Sequence, residues 1–332
     1  MSHVMVEISG ACTAAWYEPP QKMAKESALP PAFVAGHIAL IGRPNVGKST
    51  LLNAIVGEPI AITSPQPQTT RDRIRGICTT KDAQYVFVDT PGIHSARNQL
   101  GKRMVHAQEA ATRDAEVVGV VIDVGRDRIL SLRVEDEALL RAQAAEKPTM
   151  CIINKVDQLA DKSALLPLLA KLGEIETLVA VVPISARNHD GVDRILAEAR
   201  KHLPESPPLF DADSLTDKPV RFFVTEFVRE QILKQTRQEI PHGVAVAVER
   251  FDESKPIVHV DLVVHVPRDS HKKIVIGKGG EMLKRIGTDA RARIEAMLQR
   301  QVFLRIFVRV TPGWQESDAL LSELGFEKPE LP

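Results

Sequence analysis

Cysteine is scarce in this chain. Its 332 residues hold three, Cys12, Cys78 and Cys151, scattered and without metal-ligand spacing. That argues against a disulfide framework or a zinc site and for free thiols in a reducing compartment. Net charge is also missing: 43 Lys and Arg stand against 43 Asp and Glu, so the global balance names no partner and any preference must be local. No apolar run approaches the ~20 residues needed to span a bilayer. The N-terminal stretch ending in "LPPAF" has no basic start followed by an apolar segment, so it does not read as a secretory leader. Residues 1–34 are expected to form a flexible extension, with Met23 an alternative start. There is no internal repeat and no low-complexity tract.

What is present is ordinary for a globular protein of two domains, with 26% charged and 44% hydrophobic residues. From about His37 to Leu203, buried-strand patterns ("HIALIG", "YVFVDT", "EVVGVVID", "PTMCIIN", "LVAVVPIS") alternate with helical ones such as "RVEDEALLRAQAAE" and "DGVDRILAEARKHL". "RIRGICTT" reads as a strand more exposed on one face. The alternation predicts an α/β domain over 35–203 with a mainly parallel sheet. Residues 204–219, "PESPPLFDADSLTDKP", read as a linker. Residues 220–332 follow a different order. A helix is expected at Phe222–Glu239, strands at Val244–Arg250 and Ile257–Val266, and a short helix near His271–Val275. A loop, a long helix over Gly280–Arg300 and a strand over Val302–Val310 complete it.

Two glycine-lysine loops stand out. The first, "GRPNVGKST", has Gly42, then Arg43, Pro44, Asn45 and Val46, then Gly47, Lys48, Ser49 and Thr50. This is P-loop spacing between a strand and a helix. Gly47 lets backbone N–H groups face phosphate oxygens at a helix N-terminus. Lys48 would reach the β- and γ-phosphates and Ser49 would bind Mg²⁺.

The base is chosen elsewhere. "NKVD" ends a strand and supplies Asn154, Lys155 and Asp157. The Asp157 carboxylate matches the two donors of guanine. Adenine would leave it unpaired, a mismatch that such a site can reject by roughly 10⁴-fold. Lys155 would cover the base plane and Asn154 would tie this loop to the P-loop. "SAR", Ser185, Ala186 and Arg187, follows the next strand, where the Ala186 N–H is expected to meet guanine O6.

"DTPG", Asp89, Thr90, Pro91 and Gly92, also ends a strand. Asp89 would reach Mg²⁺ through water and the Gly92 N–H would touch the γ-phosphate. Loss of that phosphate would release the following segment, a two-state switch. Between the P-loop helix and the second strand lies "SPQPQTTRDRIRG", one of whose threonines should reach Mg²⁺ and the γ-phosphate. Thr70 is favoured, with Thr69 its rival. Lys48, Thr70 and Gly92 are thus the candidates to act on the transferring phosphoryl group. Ras-like proteins place a water-orienting glutamine after the switch glycine. Ile93 stands there instead, so unaided hydrolysis should be slow. In related GTPases lacking that glutamine, an asparagine at the position of Asn45 helps hold potassium, which makes Asn45 a candidate K⁺ ligand. His94 reads as a switch-loop residue rather than a base.

The second loop, "VIGKGGEMLKRIG", lacks P-loop spacing. Its "GKGG", Gly277 to Gly280, fits the G-x-x-G turn with which a KH domain clamps the backbone of about four nucleotides. The expected order of helices and strands around it is that of a bacterial-type KH domain. From Arg268 to Arg309 there are eleven Lys or Arg and four acids, a local +7. A basic segment beside such a turn points to nucleic acid. The candidate RNA-binding residues are Lys272, Lys273, Ile276, Gly277, Lys278, Gly279, Gly280, Lys284 and Arg285. In the long helix, Leu283, Ile286, Ala290, Ile294 and Met297 should form the core face. Trp314 reads as packing rather than recognition.

"GRPNVGKSTLLNAIVG", "QTTRDRI", "DTPGIH" and "NKVD", followed by "EIPHGVAV" and "VIGKGGEMLKRIG", resemble the Era family, bacterial GTPases of small-subunit ribosome assembly. The similarity runs from about Phe33 to Phe326. A Der-type protein would carry two G domains, and a TrmE-type protein a terminal cysteine motif absent here. The resemblance implies a P-loop GTPase domain plus a type II KH domain, with GTP and Mg²⁺ as ligands. It implies binding to 16S rRNA near its 3′ end and to the 30S subunit under GTP-state control, with RNA-stimulated hydrolysis. It further implies a cytoplasmic monomer with peripheral contact at the inner membrane. The alternative is an RNA-binding scaffold whose nucleotide is mainly structural. The N-terminal extension matches nothing expected of the family.

Overall fold

The structure, a computed structural model, describes residues 33–64, 66, 69–92, 96, 98–125, 131–236 and 240–326. Residues 1–32 of the extension expected over 1–34 lie outside the described residues, as do Ile93 and His94, whereas Phe33 and Val34 are buried and Val34 opens the first strand.

The first half runs β1 (Val34–Ile41), α1 (Lys48–Val56), β2 (Ile74–Thr79), β3 (Ala83–Asp89), α2 (Gln99–Asp114) and β4 (Val117–Asp123). It continues with α3 (Val134–Ala144), β5 (Thr149–Asn154), α4 (Leu166–Gly173), β6 (Leu178–Pro183) and α5 (Val192–Arg200). The six strands form one sheet in the order β2-β3-β1-β4-β5-β6. Only the edge strand β2 is antiparallel, pairing Ile74 with Asp89 and Thr79 with Gln84. The continuous apolar runs follow from burial on both faces, as parallel strands require. Along β1, Ile38 and Leu40 join the core that includes Leu51 of α1 and Ile195 of α5. Ala39 and Ile41 point the other way, toward Leu140 of α3 and Leu172 of α4. Cys151 lies on β5, fully buried, and burial pushes its thiol up to about 12.

The second half runs α6 (Val220–Gln235), β7 (Ala245–Asp252), β8 (Val258–Val266), α7 (Asp269–Ile276), α8 (Glu281–Leu298), β9 (Val302–Val310) and the short α9 (Asp318–Glu323). Its sheet has the order β7-β8-β9, antiparallel then parallel. The expected helix–strand order stands, although α6 begins two residues early and stops at Gln235. Leu283 is half-buried: it packs against the core as expected and also lines a groove. Trp314 is fully buried, donates its indole N–H to the Gly243 carbonyl at 3.2 Å, and stacks on Phe326.

The proline-rich connection is stapled to the first sheet. Gln84 accepts from the amides of Leu209 and Phe210 at 2.7 and 2.9 Å and donates to the Phe210 carbonyl at 2.9 Å. The Ile77 amide donates to the Leu215 carbonyl, and Arg75 pairs with Asp217 at 2.5 Å. Linker composition therefore coincides with an ordered strap that covers the β2 edge, a common protection against edge pairing.

Candidate functional site

The motifs gather at the C-terminal ends of β1, β3, β5 and β6, the crevice in which open α/β sheets take their ligands. β1 delivers the P-loop, and Gly47 at φ 102° opens α1. A Cβ on Gly47 would come within 2.3 Å of Asn154 Nδ2, so only glycine fits. Lys48 is buried and donates to the carbonyls of Gly42 (2.9 Å) and Arg43 (3.2 Å). Desolvation pulls its pKa down to about 8, partly offset by Asp89. Burial likewise pushes Asp89 above the usual carboxylate range, against the opposing pull of Lys48, Ser49 and Thr70.

Three oxygens converge beside Lys48. Ser49 Oγ lies 2.6 Å from Asp89 Oδ2 and 2.8 Å from Thr70 Oγ1, and Thr70 Oγ1 donates to Asp89 Oδ2 at 3.1 Å. Asp89 Oδ1 is buried without a hydrogen-bond partner. Two hydroxyls and a carboxylate with spare acceptor capacity make the hard oxygen set that suits Mg²⁺. Thr70, not Thr69, joins it: Thr69 Oγ1 is turned to the Gln66 carbonyl at 2.7 Å. Thr90 anchors the "DTPG" turn by donating to the Leu40 carbonyl at 2.8 Å. A Cβ on Gly92 would sit 2.9 Å from the Pro44 backbone, so this turn lies directly against the P-loop.

At the guanine end, Asn154 donates to the Val46 carbonyl at 2.9 Å, as expected. Its Oδ1 accepts from the amides of Lys155 (2.7 Å) and Ala186 (3.0 Å). The Ala186 N–H thus lies at the guanine end of the crevice, hydrogen-bonded to Asn154. Asp157 is exposed at the rim, with Oδ1 accepting from Ser185 at 2.6 Å. Lys155, at φ 67°, sends its ammonium to the Asn45 carbonyl (2.6 Å) and to Asp123 (2.8 Å). The Arg43 side chain is held by Asp136 at 2.8 Å and Asp123 at 3.3 Å. Its contribution to a phosphate site is therefore backbone. Arg187 is exposed and Thr50 is half-buried on α1.

In the second half, Gly277, Lys278, Gly279 and Gly280 form the turn between α7 and α8. Gly277 has φ 74°, and a Cβ there would meet Met282 at 2.6 Å. Lys273, Lys278, Lys284 and Arg285 are exposed, and Lys272 and Ile276 are half-buried. The turn opens onto a shallow groove of about 460 Å³, with Gly280, Leu283, Lys284, Gly287 and Arg291 on one wall and Leu304 and Ile306 of β9 on the other. An apolar floor with a basic rim suits unstacked bases and phosphates. Not all of the local charge is available. Arg293, Arg305 and Arg309 are paired with Glu230, Asp261 and Glu249, and Arg285 donates to Gln235 at 2.7 Å. Gly287 and Arg291 escaped the sequence reading, although a glycine inside a long helix is a signal of close approach.

The two halves touch beside Thr70 and along α2, the helix that follows the "DTPG" turn. Arg71, next to Thr70, is buried and donates to the Val244 carbonyl, 2.5 Å away, and lies over the Trp314 ring. Burial, then the neighbouring Arg229, pulls its pKa down to about 9. Arg103 of α2 reaches α9. No spacing motif marks these arginines.

Two family models match this chain: a 50S ribosome-binding GTPase over residues 37–155 and a KH domain over 239–315. GTPase Era of Geobacter metallireducens is 45% identical over 89% of this chain and 98% of its own length. The chain belongs to the Era family of GTPases. GTPase Era of Leuconostoc citreum is 44% identical over 89% of the chain and 97% of its own. Among solved structures, Era in complex with MgGDPNP and nucleotides 1506–1542 of 16S ribosomal RNA matches with a TM-score of 0.84. That match has 34% identity and covers 89% of this chain and 99% of the other. A point variant of Aquifex aeolicus Era bound to GDP·AlF4⁻ matches equally well, with the same TM-score, identity and coverage. The P-loop GTPase fold, the KH domain and GTP hydrolysis are thus those of an Era protein, as the motifs imply.

Proposed function

We propose that this Era-family GTPase acts in assembly of the 30S subunit, binding 16S rRNA near its 3′ end through the KH groove under control of the bound nucleotide. The observation that carries the reading is the convergence of Ser49, Thr70 and Asp89 within 3.1 Å beside the buried Lys48. Lys48 and the amides at the start of α1 hold the β- and γ-phosphates. Ser49, Thr70 and Asp89 hold Mg²⁺, directly or through water. When bound, Mg²⁺ neutralises charge on the transferring phosphoryl group. Thr70 and Gly92 close on the γ-phosphate, and losing it releases both segments. Asp157 selects guanine, with Ser185 fixing one of its oxygens.

The groove between α8 and β9 takes unpaired bases, and Lys272, Lys273, Lys278 and Lys284 take the phosphates. Arg71 beside Thr70 and Arg103 on the helix after the "DTPG" turn bind to the KH half, which supports nucleotide control of that half. Asn45 is the candidate K⁺ ligand. Hydrolysis faster in K⁺ than in Na⁺ at equal ionic strength is expected, and equal rates would dispose of it. The protein is read as a monomer. Its peripheral contact with the inner membrane would use no spanning segment, for no helix among the described residues is long and apolar enough to cross one.

The test is GTP turnover with and without an oligonucleotide of the 16S rRNA 3′ end, alongside RNA affinity in GTP-analogue, GDP and nucleotide-depleted forms. Stimulated turnover and nucleotide-dependent affinity are expected. Affinity indifferent to nucleotide, with unchanged turnover, would favour a scaffold whose nucleotide is structural.

A further inference from the structure

Two adjacent residues of α6 grip both ends of the segment that leads to Thr70. Arg229 Nη2 donates to the Thr69 carbonyl at 2.5 Å. Glu230 Oε1 accepts from the Thr63 amide at 3.2 Å. Both side chains are buried. Arg229 is itself fixed by Glu226, through Nε at 2.7 Å and Nη2 at 2.5 Å. Glu230 is paired with Arg293 of α8, the helix that begins at the G-x-x-G turn. The Arg293 guanidinium lies 4.2 Å from the centroid of the Phe227 ring on α6.

The Thr69 carbonyl belongs to the peptide that joins it to Thr70. Holding that peptide restricts where the Thr70 hydroxyl can point. Hydrogen bonds with one ionised partner are roughly twice as strong as neutral ones. This one is part-buried, where water competes less. Functional groups of such sites must be held to within about 0.5 Å, and supporting residues do that work. Here the support for a metal-site hydroxyl comes from the other half of the chain.

We propose that Arg229 and Glu230 are positioning residues for GTP hydrolysis, by which the KH half sets Thr70 in the metal site. Through Glu230 and Arg293, α8 makes that setting responsive to RNA at the G-x-x-G turn. The inference rests on the GTPase and RNA-binding reading above and adds the residues through which one site addresses the other. Linkage then requires reciprocity: RNA changes the affinity for Mg·GTP by the factor by which Mg·GTP changes the affinity for RNA.

The test uses the full chain and the double variant Glu226→Gln/Arg229→Met, which removes both charges of that pair together. The Mg²⁺ concentration for half-maximal GTP hydrolysis is expected to rise about fivefold. The turnover number is expected to fall about tenfold, as for a misplaced catalytic group. GDP affinity, which needs no Thr70, should stay within about twofold. Addition of the 16S 3′-end oligonucleotide should lower the Mg²⁺ requirement of the wild type and leave the variant unmoved. A wild-type Mg²⁺ requirement and turnover in a variant that melts normally would overturn the proposal. Should the double variant melt below the assay temperature, Arg229→Lys is read instead. One ammonium cannot hold both Glu226 and the Thr69 carbonyl as a guanidinium does. Its Mg²⁺ requirement should rise about threefold, and a wild-type value there also overturns the proposal. A wild-type protein that neither turns over GTP nor binds the oligonucleotide would instead overturn the functional reading itself.

Discussion

Arg103 on α2 and Asp318 on α9, 215 residues apart in sequence, are joined by two hydrogen bonds: Nε and Nη2 lie 3.1 and 2.9 Å from the same carboxylate oxygen. The guanidinium also donates to the carbonyls of Asp318 (3.0 Å) and Phe326 (2.9 Å) and to Ser322 Oγ (3.1 Å). Beneath it Leu100, Met104, Trp314 and Leu321 pack together. The helix after the second switch is thereby fastened to the C-terminal segment.

The two partners are not equivalent. The Arg103 side chain is 6% exposed and that of Asp318 69%. Arg103→Ala removes a buried guanidinium and its hydrogen bonds to half-buried and exposed partners, and should cost about 2 kcal/mol in urea unfolding. Asp318→Asn, losing an exposed charge while the carbonyl contacts persist, should cost under about 1 kcal/mol.

Lys48 should make nucleotide binding take up protons in alkaline solution. Without nucleotide its pKa is about 8, and a triphosphate beside it favours the charged form. At about pH 9, binding should therefore carry uptake approaching one proton, read by calorimetry in buffers of different ionisation enthalpy. GTP affinity should fall as pH rises above 8. The same group destabilises the nucleotide-free fold below its unfolded pKa. Its depressed value means that stability from this residue rises with pH between about 8 and 10.5. No uptake would mean that the ammonium does not meet the phosphates.

Asp157→Ala should erase the preference for guanine. Loss of the paired donors should weaken GTP by about 10²-fold or more while leaving ATP near its wild-type affinity. Ser185 loses its acceptor too, so Ser185→Ala is the control for that smaller effect. Competition binding of GTP against ATP reads both.

Lys278→Glu with Gly279→Asp should abolish RNA binding and spare basal GTP hydrolysis. Gly279 sits at φ 61° and a Cβ there meets open space, a conformation Asp tolerates better than most residues. The fold should hold, and the melting midpoint checks it. For the wild type, log affinity should fall linearly with log salt. Removing one phosphate contact should flatten the slope by about 0.7. Preserved RNA binding in the double variant would contradict the clamp.

The elements that bring residues close in sequence to one strand end were readable from the chain. "GRPNVGKST", "DTPG" and "NKVD" each follow a hydrophobic run that could be nothing but a buried strand. The choice between Thr69 and Thr70 was not, because adjacent hydroxyls share one composition and differ only in which side of an extended chain they face. The hydrogen bond from the Ala186 amide to Asn154 was not readable either, because the asparagine comes from another strand end. Arg229 was invisible for a related reason: it meets Thr69 across 160 residues, and no local spacing encodes a partner that only tertiary packing delivers. Leu283 shows the limit of periodicity, which places it on the core face but cannot say that it also borders a cleft.

The strap along β2 decides how the two halves are able to move. Pro204–Pro219, left loose, would be a leash of roughly 50 Å at ~3.3 Å per residue. Fastened at Phe210, Leu215 and Asp217, it leaves only Lys218 and Pro219 before α6 begins. Any rearrangement that keeps those fastenings is then a pivot about two residues. The KH half can tilt over the nucleotide crevice, but it cannot drift away from it.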